Sequence, residues 1–269
     1  MTVPKTLSLQ QRSWQVEDFL PVDYGLPSGL LTQLDQDLHR NCVRLLGRDV
    51  YSEGDSQPLF DYLQPRWAEF TPGFRQLMTL WLADEQKHYQ ALRRVYQLLT
   101  RIPEEEMNQC FARRHHEIEP IQALLADEFT ILVALLFDEL GSTISYRRDL
   151  REYYRHYGPA VTNIAKQLVM DEGIHFQNAA QILQTYHDKR LGELPALLHH
   201  ISRLEKSLGR YCKTFFLDHA QEQERFPPDF NEVIIAMILA HFDLGPSPRR
   251  GQYLWAWKPA GQAFTPLVA

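Results

Sequence analysis

The chain has 269 residues, 44% of them hydrophobic, and its 28 basic against 34 acidic residues leave a formal charge of −6. That is enough apolar material for a large core, and the mildly acidic balance argues against a global field that recruits nucleic acid or an anionic membrane. Cys42, Cys110 and Cys212 stand far apart with no Cys-x-x-Cys, which argues against a disulfide scaffold or structural zinc site and fits a reducing compartment.

The opening stretch MTVPKTLSLQQRSWQVEDF has no apolar run behind a basic start, and no segment approaches about 18 uninterrupted apolar residues. A cytoplasmic protein without a membrane span is expected. Leucines 30, 31, 34, 38, 45 and 46 predict a helix over 27–49, with Ser28 as its cap. Residues 50–67 are interrupted by Gly54, Pro58 and Pro65. A long helix over 71–102 opens with Thr71-Pro72, a capping residue followed by proline at the first helical position. The segment 119–157 is almost wholly apolar from Phe129 to Phe137, which predicts a helix buried on most sides. After Gly158-Pro159 comes a helix over 158–190, then two more at about 193–221 and 229–243, and a Pro/Gly/Trp-rich tail without helical period. No strand pattern, low-complexity run or linker interrupts this series. A single all-α domain over 1–269 is expected.

Two six-residue stretches carry the chemistry: DEQKHY at 84–89 and DEGIHF at 171–176. Residues three apart share a helix face, so Glu85 with His88, and Glu172 with His175, can grip one metal ion together. Asp84 and Asp171 are the natural acceptors for the other imidazole N–H, each from the histidine on the opposite helix. Buried carboxylates are costly unless paired or metal-bound, and both motifs sit in apolar helices.

Dinuclear bundles need one further carboxylate from each of two more helices. If 119–157 and 158–190 form an antiparallel hairpin, the mirror image of Glu172 about the Tyr157-Gly158-Pro159 turn falls close to Glu139. The same construction about Phe70-Thr71-Pro72 selects Glu53 for the first motif, with Asp55, Asp61 and Asp35 as alternatives. Glu128, about three turns before Glu139, points the same way and is a further buried acid or a helix-end partner.

The order Glu…Glu-x-x-His…Glu…Glu-x-x-His resembles the soluble acyl-carrier-protein desaturases, members of the ferritin-like di-iron group. The likeness covers roughly 45–190 and is carried by LLGRDVYSEG, LWLADEQKHYQAL, FDELGSTIS and VMDEGIHFQNA. It implies a ferritin-like four-helix bundle over about 45–190, with additional helices and an irregular tail over 191–269. By the same resemblance Glu53, Glu85, His88, Glu139, Glu172 and His175 hold two Fe ions per chain, with Mn as the alternative metal. Ser142 stands where the family carries a threonine whose hydroxyl aids proton delivery, and it is the candidate catalytic residue. The chain departs from the family at this serine and at Gly54.

The implied reaction is desaturation of a carrier-bound fatty acyl chain by O2 and two electrons. The alternatives are hydroxylation, N-oxygenation or aldehyde deformylation of another apolar substrate, or a ferritin-like iron-handling or peroxide-scavenging role. Implied partners are an acyl carrier protein or other acyl carrier, a ferredoxin-type electron donor and a second copy in a homodimer. A basic docking face is sought at Arg147, Arg148, Arg151 and Arg155, or at Lys189, Arg190, Arg249 and Arg250. Leu132, Leu136, Phe137, Leu168, Met170 and Phe176 are candidate walls of a substrate enclosure. The pairs His115-His116 and His199-His200 are expected to be solvated.

Overall fold

The computed structural model describes residues 7–209, 213–217, 219 and 230–246, and among these there is no strand. The fold is all-α. In chain order the helices are α1 (Leu30–Gln33), α2 (Gln36–Gly54), α3 (Ser56–Leu63), α4 (Pro72–Thr100), α5 (Glu104–Ala112), α6 (Glu128–Glu152), α7 (Pro159–Tyr186), α8 (Leu194–Leu208) and α9 (Phe230–His241). Short 3-10 turns join several of them.

Local chemistry explains most boundaries. Thr71 caps α4 by accepting from Phe74 N (3.2 Å), with Pro72 at the first helical position. Asp127 caps α6 through Thr130 N (2.8 Å), and Gly158, at φ 98°, turns the chain into α7. The stretch expected as one helix over 27–49 divides: Leu34 is extended, and Asp35 rather than Ser28 caps the long helix, accepting from Asp37 N and Leu38 N at 2.8 and 2.9 Å. The segment 119–157 likewise resolves into a 3-10 run Glu119–Leu125, α6 and a second 3-10 run Tyr154–Tyr157. Helix α5 falls in a stretch for which the sequence pattern predicts no element. Cys212, Arg249, Arg250 and the tail lie outside the described residues.

The core forms two apolar clusters. One gathers Phe74–Trp81 of α4, the first half of α6, the end of α7, α3, α8 and α9. The other gathers α2, Ala91–Leu99 of α4, the start of α7 and the N-terminal residues Trp14, Val16 and Leu20. α4 and α6 run from the first cluster to the second, and α2 with α3, like α7, run the opposite way. The acidic motifs lie where α4 and α7 cross between the clusters, and Glu53 lies at the α2–α3 junction. α6 is long and apolar enough to span a membrane by length and composition, but 89% of its apolar window is buried inside the protein, as a central core helix requires.

Gly54 does not break α2; it is its last residue. A Cβ there would meet Phe111 Cζ at 2.7 Å and Tyr89 Cδ2 at 3.4 Å. Phe111 of α5 packs against Tyr51 (tilted) and edge-to-face on Tyr89, each at 4.9 Å between ring centroids, so glycine is the seat of that ring. Helix propensity alone makes Gly54→Ala stabilising. We expect the opposite sign, a loss of about 1 kcal/mol, the lower end for overpacking because Phe111 can turn outward. Urea denaturation of Gly54→Ala alone and with Phe111→Ala checks this: the second change should abolish the loss, and a stabilised single variant refutes it.

Candidate metal centre

Four helices bring six ligand-type side chains to one point. α4 supplies Glu85 and His88, α7 supplies Glu172 and His175, α6 supplies Glu139 and α2 supplies Glu53; all are buried. His88 Nδ1 lies 3.4 Å from Glu85 Oε2, 3.3 Å from Glu172 Oε1 and 3.7 Å from Glu53 Oε2. His175 Nδ1 lies 3.0 Å from Glu85 Oε1, 3.1 Å from Glu139 Oε2 and 3.6 Å from Glu172 Oε2. Two groups result, Glu53-Glu85-His88-Glu172 and Glu85-Glu139-Glu172-His175, each with its ligand atoms within 4.8 Å of one another. Glu85 and Glu172 belong to both.

The surrounding residues fix these side chains. His88 Nε2 faces Asp171 Oδ2 at 3.2 Å, and His175 Nε2 faces Asp84 Oδ2 at 3.3 Å, so each motif's aspartate serves the other motif's histidine. An N–H at Nε2 leaves the Nδ1 lone pair free to point into the centre, the tautomer a metal needs. Trp81 Nε1 donates to Glu139 Oε1 (2.8 Å), and Tyr146 Oη donates to Glu53 Oε1. An N-terminal strap covers the aspartates. Gln11 Nε2 donates to Asp84 Oδ1 (3.1 Å), Trp14 Nε1 to Asp171 Oδ2 (2.6 Å) and Arg12 to Asp171 Oδ1 (3.3 Å), while Lys87 Nζ bridges to Asp84 at 2.7 Å.

Glu53 Oε2, both oxygens of Glu85, His88 Nδ1 and Glu172 Oε1 are buried without a hydrogen-bond partner among the described residues. Desolvation costs several kcal/mol per buried ion and is tolerated when a cation or proton compensates. Without a cation, protons do this. Burial and the charge of Glu85 push Glu53 well above the usual carboxylate range, and burial with the charge of Glu172 does the same to Glu139. Burial would lower both histidines, yet the charges of Glu85 at His88 and Glu139 at His175 drive them well up. Asp84 goes the other way, to about 2, because His175 and Lys87 outweigh its burial. The unpartnered oxygens and inward Nδ1 atoms therefore fit a bound cation.

No protein-family model, curated protein or solved structure matches the chain.

Of the alternatives to Glu53, Asp35 is a helix cap, Asp61 is exposed and accepts from Gln57, and Asp55, though buried, pairs with Arg114 and with His116 at 3.0 Å. His116 is exposed like His115, His199 and His200, and its ring also meets the buried Asp55 carboxylate. Glu128 is a clamp remote from the centre: its carboxylate accepts from Thr71 N (2.6 Å) and Thr71 Oγ1 (2.7 Å) and meets His187 Nε2 at 2.9 Å, tying α4, α6 and the end of α7. Leu132, Leu136, Phe137, Leu168 and Phe176 are buried in the apolar clusters, but Met170 is 47% exposed and walls nothing. Arg148 is buried against Asp149 (2.7 Å) and leaves the basic face, where Arg147 and Arg155 remain exposed. Ser142, a turn beyond Glu139, meets His219 Nε2 at 3.3 Å. Trp81 and Tyr146 are legible in principle, one turn before Glu85 and two turns beyond Glu139. Gln11, Arg12 and Trp14 carry no periodic signal.

Proposed function

We propose that this chain is an O2-dependent di-iron oxidase of the acyl-carrier-protein desaturase type, with manganese as the alternative metal. The observation that supports this most is the pair of overlapping ligand groups sharing Glu85 and Glu172, each with one imidazole and one carboxylate of its own. Such a set would neutralise two divalent ions, and the ions would supply the O2-activating redox chemistry needed to attack an unactivated C–H bond. The reaction converts a –CH2–CH2– unit, O2, two electrons and two protons into –CH=CH– and two waters.

The chain's own residues do the rest. Asp84 and Asp171 hold both histidines in the ligating tautomer, and Trp81 and Tyr146 hold the unshared acids in place. The strap from Gln11 to Trp14 excludes water from the α4–α7 side. Trp14 also lines an open groove with Arg12 and Lys87, whose ammonium sits 4.7 Å over the indole ring. Arg12 and Lys87 are paired there with Asp171 and Asp84, and the groove is where a one-electron donor reaches the chain Trp14–Asp171–His88.

The test starts with anaerobically iron-reconstituted protein, its metal content and its oxidised-state absorption, against a Glu139→Ala, Glu172→Ala double variant. The expected result is about two irons per chain in the wild type and their loss in the variant, followed by an unsaturated product in a ferredoxin-coupled assay on acyl carriers. Unchanged binding in the double variant refutes the centre. O2 uptake with every acyl chain left unaltered refutes the desaturase outcome.

A further inference from the structure

Six buried ligands need a way in for their ions, and the walls of the centre differ in what they offer. Both ends are apolar clusters, where a cation would lose its hydration with nothing to replace it. The α4–α7 side is covered by the strap, and the groove beside Trp14 stops at Asp84 without touching any of the six ligands. The α2–α6 side is different. A narrow cavity there is bounded by Glu53 itself, with Asp49 and Ser52 of α2 on one wall and Asp138, Ser142 and Ser145 of α6 on the other.

Two oxygens on this cavity's walls, Ser145 Oγ and Glu53 Oε2, are buried without a hydrogen-bond partner among the described residues. Ser145 is 4% exposed and Glu53 5%. A buried hydroxyl left unbonded is costly, so the cavity calls for an occupant that bonds to oxygen. Tyr146 Oη holds Glu53 Oε1, while Oε2 lies 3.7 Å from His88 Nδ1. Glu53 is therefore both a wall of the cavity and a member of the Glu53-Glu85-His88-Glu172 group.

The space is small, about 10 Å³ for the centre of a water molecule, which admits about one water. A fully hydrated divalent ion is too large and must exchange its waters for protein oxygens on the way, as hard cations do. Of the described residues that line the cavity, only Arg48 and Ser142 are partly exposed, so they form its mouth. Arg48 is bonded to Asp49 Oδ1 at 2.9 Å, and Asp138 accepts from Leu217 N at 3.3 Å, so the mouth sets two carboxylates against one guanidinium.

We propose that this cavity is the port through which metal ions reach the centre. A divalent cation enters between Arg48 and Ser142, replaces waters of its shell with the hydroxyls of Ser52, Ser142 and Ser145, and is taken up by Glu53. An ion bound for the Glu139-His175 position passes the His88 position first, handed on by Glu85 and Glu172, which belong to both groups. The inference rests on the metal centre and not on the oxidase outcome.

The test is the rate of Mn(II) uptake by metal-free protein, followed without O2 through the loss of the free ion's EPR signal, and the rate of Mn(II) release to EDTA. Ser145→Val fills the cavity with methyl groups and breaks no bond to the described residues. Uptake and release should both slow about tenfold, because an added barrier acts on both directions alike, while the final stoichiometry stays at about two per chain. Ser145→Ala, which leaves the cavity open, and Trp14→Ala, which loosens the strap side, should load at the wild-type rate. If Ser145→Val binds fewer ions at equilibrium, its packing has disturbed the ligands, and Ser142→Val at the mouth decides by the same two rates. Wild-type rates in the plugged variant overturn the port, and faster loading of Trp14→Ala places the entry under the strap instead. Normal Mn(II) uptake with every acyl carrier left unaltered refutes the oxidase reading alone, whereas a wild type that takes up no Mn(II) refutes the centre and the port with it.

Discussion

Glu85→Ala and Glu172→Ala should each abolish both metal-binding steps, while Glu53→Ala should abolish one and leave the other. The asymmetry follows from geometry: Glu85 and Glu172 contribute to both ligand groups, whereas Glu53 with His88 and Glu139 with His175 each belong to one. Removing a shared acid takes a ligand from both ions and leaves each with one imidazole and two carboxylates. Removing Glu53 leaves the Glu85-Glu139-Glu172-His175 group complete. Titration with Mn(II), which avoids oxidation during the measurement, should give about two equivalents for wild type, about one for Glu53→Ala and none of comparable affinity for Glu85→Ala. Thermal melts of the metal-free variants check for a folding defect: each substitution removes a buried acid with unpartnered oxygens but also a partner of a buried histidine or of Tyr146, and the variants should remain folded with a cooperative transition. Equal stoichiometry in Glu85→Ala and Glu53→Ala would sink the shared-ligand arrangement.

The centre is legible in the sequence because its parts repeat on helices. A three-residue step fixes Glu85 with His88 and Glu172 with His175 on one face whatever else the chain does, and the cross-pairing of Asp84 and Asp171 follows once those helices face each other. Glu139 can be found by reflection because only the short 3-10 run Tyr154–Tyr157 separates α6 from α7. Glu53 is harder to single out: Gly54, Pro58 and Pro65 obscure a rod that in fact continues from α2 into α3. Pro58 sits in the first turn of α3, where its missing N–H costs nothing, and Gly54 is there for Phe111. What stays hidden depends on irregular backbone. The strap of Gln11, Arg12 and Trp14 reaches Asp171 across more than half the chain, and His219 falls within the helix expected over 193–221 although α8 ends at Leu208. Helix α5 escapes a periodicity reading because its only strong local cues are an acidic first turn and Pro103 before it, with a single buried residue, Met107, to mark an apolar face.

The ionisation of the centre gives the second large effect, a stability difference that grows with pH. In the metal-free protein Glu53, Glu139, His88 and His175 have folded-state values raised well above their ordinary ones. A raised group stabilises the fold fully below its unfolded value, and that contribution is lost as pH climbs through the folded value. For the two acids the decline begins above about 4.5, and for the histidines above about 6.5. Asp84, lowered to about 2, and Asp171, also lowered, act oppositely: they stabilise above about 4 and lose that contribution as pH falls through their folded values. Metal-free protein should therefore be most stable in mild acid and weaken from pH 6 towards 8. Bound cations reverse the slope, because loading them releases the protons held by the acids and histidines, so affinity rises with pH, and ions that bind only the folded state add stability by mass action. Melting temperatures of Mn(II)-loaded and chelator-stripped protein should separate steadily between pH 5.5 and 8. In Glu85→Ala the separation should vanish at every pH. A gap that stays constant or narrows as pH rises would show that the six side chains do not exchange protons for metal, and the buried cluster would then be a proton-bonded core alone.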